Sequence, residues 1–179
     1  MRSVRFHDDP ARAENGKGGP DGSPAGGRLN LLLSYAGWQA ESWADLLPVL
    51  LEPMGVHAMR ASDGRHAAEV LRSSPIHIAV VDLDLPLDPA DPESIQAGGG
   101  FRLLELLSRQ SSRPPAVVVR RSRTHRDDTR EINRALQAGA FAVVERPQAT
   151  RDLEVMLDVL RRCLARHYQG RWPGSSPPA

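Results

Sequence analysis

Two aspartates close the most apolar run of the chain, and their position raises the question of chemistry. The segment Ile76–Pro86 reads IHIAVVDLDLP, in which Asp82 ends the apolar run and Asp84 follows two residues later. The run predicts a buried strand, and ligands of open parallel sheets bind at the carboxyl ends of the strands. The pair is therefore either placed for chemistry or is only the polar end of a buried strand.

Alternating strands and helices must position this pair. Short apolar runs separated by amphipathic stretches predict the order βαβαβαβαβα, with strands in RLNLLLSYAG, VHAMRASDG, IHIAVVDLDLP, PAVVVRR and FAVVERP. This order predicts an α/β fold with a parallel, doubly wound sheet of five strands. The first helix should be kinked or shortened by Pro48 and should bury a stripe formed by Trp43, Leu46, Leu47, Leu50 and Leu51. Expected caps and stops are Ser62 or Asp63, Gly139 and Thr150.

One domain is predicted, with polar segments at both ends. Residues 1–27 are rich in Gly, Pro and charge and predict a flexible arm, residues 28–168 form the domain, and residues 169–179 predict a flexible tail. The chain has no apolar stretch of membrane-spanning length and no signal-peptide pattern at its start, so we expect a cytoplasmic protein that does not enter membranes.

Composition argues against several classes of function. The 23 basic and 22 acidic residues nearly balance, which argues against nucleic acid as a partner. The single cysteine, Cys163, lies in a helical pattern and is expected to pack as a thiol. The histidines lack metal-ligand spacing, and no phosphate loop, nucleophile elbow or cofactor motif is present. We therefore predict no enzyme, no catalytic residue and no metal site.

Four segments in order resemble the receiver domain of bacterial two-component response regulators over roughly residues 29–167. They read GVHAMRASDGRHAAEVL, IHIAVVDLDLP, GGGFRLLELL and ALQAGAFAVVERP. The resemblance implies the flavodoxin-like (βα)5 fold, and it makes Asp82 the equivalent of the aspartate that accepts a phosphoryl group from a histidine kinase. In that family two acids after the first strand hold Mg²⁺, a Ser or Thr ends the fourth strand, and a Lys precedes the proline after the fifth.

The chain departs from the family at each of these places. Ser34, Tyr35 and Ala36 follow the first strand, Arg120 and Arg121 end the fourth, and Arg146 precedes Pro147. A guanidinium prefers to pair with a carboxylate, so we expect Asp82 to be held by Arg120 or Arg146 in a pocket that also contains Ser34, Tyr35 and Asp84. The long Pro- and Gly-rich loop 87–100 should be mobile, with Gly98, Gly99 and Gly100 as a hinge.

These features favour an atypical pseudo-receiver that acts as a signalling adaptor or regulatory interaction module, without an output domain and without a cofactor. The alternative is a stand-alone response regulator that is phosphorylated on Asp82 and needs Mg²⁺. Partners under either hypothesis are signalling proteins, namely a histidine kinase or a downstream regulator, or a second copy in a homodimer. By the resemblance, the expected interaction face contains Glu131, Arg134, Glu145, Arg151 and Glu154.

Overall fold

The computed structural model describes residues 29–36, 43–88, 98–121 and 125–168, and in these ranges it has the predicted alternation of strands and helices. The strands are β1 (Leu29–Ser34), β2 (Val56–Ala61), β3 (Ile78–Asp82), β4 (Ala116–Arg120) and β5 (Ala142–Glu145). The helices are α1 (Trp43–Leu51), α2 (Gly64–Ser73), α3 (Gly99–Ser108), α4 (His125–Gln137) and α5 (Thr150–Tyr168).

All strand pairs are parallel, and the sheet order is β2-β1-β3-β4-β5. The order confirms the predicted doubly wound topology, because the chain runs outward from β1 first to one edge and then to the other. Asp82 pairs in register with Val119 of β4, and Arg120 pairs with Glu145 of β5. The carboxyl ends of the three strands β3, β4 and β5 therefore meet at one edge.

Each strand contributes alternate residues to two separate apolar layers. Val80 of β3, Val117 and Val119 of β4 and Val144 of β5 pack into the layer that contains α1 and α5. Val81, Val118 and Val143 pack into the layer that contains α2 and α3. Since successive side chains point to opposite faces, this alternation decides on which face each charged residue at a strand end emerges.

The first helix buries a narrower stripe than the sequence predicts. Leu47 and Leu51 are buried with Trp43, whereas Leu46 and Leu50 are 55% and 44% exposed, so the prediction was wrong for these two leucines. A helix of nine residues packed on one sheet face covers only the residues about one turn apart on that side. Pro48 lies inside the helix, which ends at Leu51 and continues into the 3₁₀ turn Glu52–Met54.

The helix ends follow the sequence signals with one exception. Asp63 caps α2, because its Oδ1 accepts a 2.7 Å hydrogen bond from the His66 amide. Gly139 takes a φ of 95° just after α4 ends, as a helix stop requires. At α5 the carboxylate of Asp152 in the first turn, rather than the predicted Thr150, makes the capping contacts: it accepts hydrogen bonds from the amides of Gln148 and Ala149, which precede the helix.

Several predictions concern residues outside the described ranges. The arm 1–27, the tail 169–179 and the middle of the loop 87–100 belong to this group. At the described start of that loop, Asp88 forms a 3.3 Å ion pair with Arg65 of α2. Within the described ranges, no helix has the length and apolar character needed to cross a bilayer.

Candidate functional site

Asp82, the last residue of β3, is 1% exposed and is tied to the end of β1. Its amide donates a 3.2 Å hydrogen bond to the hydroxyl of Ser34, which in turn donates to the Val80 carbonyl at 3.1 Å. The Asp82 carboxylate accepts from the Asp84 amide at 3.0 Å and from the Ala36 amide at 3.4 Å. Two backbone amides therefore orient the carboxylate independently of any charged side chain.

Arg146 is the cation that holds Asp82, which confirms one of the two predicted partners. Its Nη2 lies 2.8 Å from Oδ1 and 2.7 Å from Oδ2 of Asp82, and 3.1 Å from Oδ2 of Asp84. The Arg146 side chain is 11% exposed. The Arg146 amide donates to the Arg120 carbonyl at 2.7 Å, so the arginine is anchored where β5 ends. One guanidinium nitrogen thus bridges two carboxylates.

Arg120 does not contact Asp82, so this half of the prediction was wrong. By strand alternation Arg120 emerges on the α2–α3 face of the sheet with Val118, whereas Asp82 follows Val80 on the α1–α5 face. Arg120 lies instead 3.5 Å from Glu145, its register neighbour on β5, and donates to the Arg121 carbonyl at 3.1 Å. Its side chain is buried although it ends a strand at the sheet edge.

Arg121 completes an alternating row of charges that the sequence did not predict. Its Nε lies 3.1 Å from Oδ2 of Asp84, the same oxygen that Arg146 contacts. The row runs Asp82, Arg146, Asp84, Arg121, and it balances two carboxylates with two guanidinium groups. The sequence placed Asp84 in the pocket but gave it no charged partner, because a residue two positions beyond a strand end has no fixed direction in a sequence pattern.

Burial opposes ionisation of Asp82. Desolvation raises the pKa of its carboxyl above the ordinary value, while the nearby Arg146 and the Asp84 amide both lower it; burial is the largest of these effects. An ionised carboxylate here therefore depends on Arg146 for compensation. The ion pair with Arg146 offsets the free-energy cost of burying the Asp82 carboxylate, and it does not add to the stability of the fold beyond that.

Comparison with solved structures agrees with this fold. No protein-family model matches the chain, and no curated protein matches it in sequence. The structure is similar to a CheY-like response regulator receiver domain from Methanospirillum hungatei, with a TM-score of 0.60, 16% identity and coverage of 80% of this chain and 98% of that one. It is also similar to the signal receiver domain of an HD domain-containing protein from Pseudomonas fluorescens, with a TM-score of 0.59, 21% identity and coverage of 79% and 98%.

A third similar structure is the chemotaxis response regulator CheY4 of Vibrio cholerae, with a TM-score of 0.57, 17% identity and coverage of 77% of this chain and 100% of that one. The chain has the fold of a receiver domain. The resemblance inferred from four sequence segments is thereby confirmed at the level of the fold, and the likeness covers nearly the whole of each receiver compared.

The edge of this receiver fold does not suit the divalent cation that the resemblance implies. Ser34 is already hydrogen-bonded within the sheet, Tyr35 packs against the α1–α5 layer, and Ala36 offers only its backbone. In the described part of the chain no three His, Cys, Asp or Glu residues lie close enough to hold a metal ion. Mg²⁺ prefers several oxygen ligands and loses its water reluctantly. The described residues at this edge therefore do not fit Mg²⁺.

The predicted glycine hinge was wrong for two of its three residues. Gly99 and Gly100 begin α3 and are buried against the turn that follows β3. A Cβ at Gly100 would lie 2.5 Å from the Asp82 carbonyl oxygen, and one at Gly99 would lie 2.3 Å from that of Leu85. These glycines permit backbone contact between α3 and the Asp82 turn, so their role is close packing.

Most of the predicted interaction face is exposed. Arg134, Glu145, Arg151 and Glu154 are exposed, and Glu131 is half-buried. The Arg134 guanidinium also stacks 3.9 Å above the ring of Phe101 on α3, and Glu145 lies 3.5 Å from Arg120. The structure adds two exposed apolar side chains that the charge pattern did not reveal, Leu136 on α4 and Val155 on α5, which are 46% and 55% exposed.

Cys163 is a packing residue, as predicted. It is fully buried in the α1–α5 layer, and burial raises the pKa of its thiol to about 12. A thiol with so high a pKa is almost never present as the reactive thiolate near neutral pH.

Proposed function

We propose that this protein is a pseudo-receiver, a signalling adaptor or regulatory interaction module of a two-component-type pathway that works without metal-dependent phosphorylation and without enzymatic activity of its own. One observation carries the proposal. The guanidinium of Arg146 contacts both oxygens of Asp82 and one of Asp84, where the related family places a phosphoryl group and Mg²⁺.

Phosphorylation of Asp82 would require three changes at once. The carboxylate is 1% exposed, so a phosphoryl donor must first open the site. Attack by either oxygen must break a hydrogen bond to Arg146 that is 2.8 Å or shorter. The developing charge must then be stabilised without the carboxylate-bound metal that serves this purpose elsewhere. These requirements favour the adaptor over the phosphorylated regulator.

Signalling partners would then be bound through the surface of the fold. Arg151 and Glu154 on α5 carry opposite charges, and the apolar Val155 lies beside Glu154 in the sequence. An exposed apolar side chain surrounded by charges of both signs is typical of a selective interface, because the charges penalise mismatched partners. A histidine kinase or a downstream regulator is the kind of partner we propose, and a second copy of the chain would use the same surface.

Incubation of the full chain with acetyl phosphate and Mg²⁺, followed by intact mass spectrometry, tests the proposal. We expect no phosphoryl adduct, and no change of the amide NMR spectrum with beryllofluoride. A receiver domain that carries the acid pair and the lysine serves as positive control. The matched variant Arg146→Lys restores the family's cation but not its acids, so it should also stay unmodified. A stable adduct on Asp82 of the unmodified sequence would overturn the proposal and support the phosphorylatable regulator.

A further inference from the structure

A cavity of about 300 Å³ lies at the edge of the sheet opposite Asp82. It is walled by Leu104 and Leu107 of α3 and by Phe141 before β5, and it is closed by prolines and alanines at the start of β4 and the end of α4. The polar residues of its lining are Ser108, Arg113 and His167. We call it the basal cavity. Its volume is at the lower end of the range found for small-molecule sites.

Arg113 enters this cavity from an unfavourable backbone conformation. Its φ is 40°, and it is the one non-glycine residue with a positive φ in the described ranges. Pro114 follows it, and a residue before proline normally adopts an extended conformation. Positive φ is unfavourable for a residue with a Cβ, and such strain is concentrated at functional sites. The arginine is thus held beside the cavity although glycine would suit the turn better.

The guanidinium of Arg113 has no acidic partner among the described residues. His167 also lines the cavity, and its ring meets that of Phe141 edge to face, with 6.3 Å between ring centres. The guanidinium of Arg113 and the imidazole of His167 therefore border a largely apolar cavity, and no carboxylate belongs to its lining. This is the chemistry that recognises a ligand with an anionic head and a compact apolar body.

We propose that the basal cavity binds a small amphipathic carboxylate. Its carboxylate pairs with Arg113 and receives a hydrogen bond from His167, and its apolar body lies against Leu104, Leu107 and Phe141. The volume limits the ligand to about one ring or a short branched chain. The site is independent of Asp82 and of the proposed function. Its lining includes Ala138 and Gly139 after α4, Phe141 before β5 and His167 of α5.

Amide NMR of the ¹⁵N-labelled full chain tests the site with benzoate as the probe and benzamide as its neutral match. We expect saturable shifts with benzoate for residues that line the basal cavity, notably Ser108, Arg113, Gly139 and Phe141. Amides of Arg72 and Ser74, which line a neighbouring cavity of about 430 Å³ whose lining shares only Pro114 with the basal cavity, should not move. Benzamide should bind about tenfold more weakly, because it lacks the charge-assisted hydrogen bond to Arg113.

Two variants separate charge recognition from apolar adsorption. Arg113→Gln should weaken benzoate binding about tenfold, whereas Arg109→Gln removes an exposed arginine from the same turn, outside the cavity, and should change nothing. Arg113 is exposed, so neither variant threatens folding. Equal binding of benzoate and benzamide, equal effects of the two variants, or shifts spread evenly over the surface would each overturn the proposal.

Discussion

The interaction between Asp82 and Arg146 can be measured with a double-mutant cycle. The two side chains are 2% and 11% exposed, so solvent screens their interaction very little. Removing one partner of a buried pair leaves the other charge uncompensated, at a cost of about 3–5 kcal/mol in the free energy of unfolding. We apply this reasoning to Arg146→Met and Asp82→Asn, which keep the approximate side-chain volumes.

The two single variants should not be equal. In Arg146→Met the Asp82 carboxylate keeps only the amides of Ala36 and Asp84, so we expect a loss of about 3–5 kcal/mol. In Asp82→Asn the guanidinium keeps Asp84, so a loss of about 1–3 kcal/mol is expected. The double variant removes both charges, so neither is left without its partner. Its loss in the free energy of unfolding should be about 2 kcal/mol smaller than the sum of the two single losses.

Urea unfolding of the four proteins at pH 7 measures the cycle, and acidic pH adds a second readout. Asp82 has a folded pKa above the ordinary 3.8, and without Arg146 it rises further, because Arg146 lowers it. A raised folded pKa means that stability falls as pH rises from about 4 through that pKa. The cost of Arg146→Met should therefore shrink near pH 4. Arg120→Met is the control, since Arg120 lies on the other sheet face and should add to Asp82→Asn within about 0.5 kcal/mol. If the losses of Arg146→Met and Asp82→Asn were also additive, the reasoning would be refuted.

Three further predictions follow from other contacts. Gly100→Ala should cost about 1–3 kcal/mol or more, because its Cβ would lie 2.5 Å from the Asp82 carbonyl oxygen; urea unfolding measures this, and a neutral result would contradict close packing. The Nδ1 of His77 accepts the Asn30 amide at 2.9 Å, and burial lowers the His77 pKa below 6.5. Protonation therefore favours the unfolded chain, and stability should decline as pH falls below about 6.5, less so in His77→Gln. Arg113→Gly should raise stability by up to about 1 kcal/mol in thermal unfolding, since glycine adopts positive φ without strain; destabilisation would show that the turn is not strained.

The fold was predictable because its signals are local and repeated. The runs IAVV, AVVV and FAVV read as buried strands, and the spacing of the helices between them leaves few topologies for a parallel sheet. Arg146 was predictable as a partner of Asp82, because the carboxyl ends of β3 and β5 share an edge. Arg120 was the other predicted partner of Asp82, and it does not contact Asp82. Side chains of β4 alternate between the two faces of the sheet, so the face of Arg120 can be predicted only if the first residue of β4 is known. An error of one residue in that start places Arg120 on the opposite face.

The contacts beyond the strand ends could not be predicted in the same way. Arg121 and Asp84 lie in turns, where no period fixes the side-chain direction, so their 3.1 Å contact is visible only in three dimensions. Arg134 was placed on a partner surface by the family resemblance, and its contact with the ring of Phe101 could not be read from the sequence. Long arginine side chains cover apolar surface as readily as they face solvent, and a sequence does not distinguish the two.

Replacing a metal ion by a side chain changes how the site can respond to its surroundings. A bound cation exchanges with solvent, so its occupancy depends on concentration and on the charge of the carboxylates. The guanidinium of Arg146 is attached by the chain to the residue that follows β5, and the amide of that residue is bound to the Arg120 carbonyl, so its local concentration near Asp82 does not depend on the solution. Its distances of 2.7 and 2.8 Å to both Asp82 oxygens leave no position at which a phosphoryl group enters without displacing it. A partner can shift the equilibrium between two conformations of the fold only if it binds one of them more tightly than the other. Under the proposed function, the signal would therefore arise from binding at the surface of α4, β5 and α5, and a partner that leaves the contact between Arg146 and Asp82 unchanged would be consistent with it.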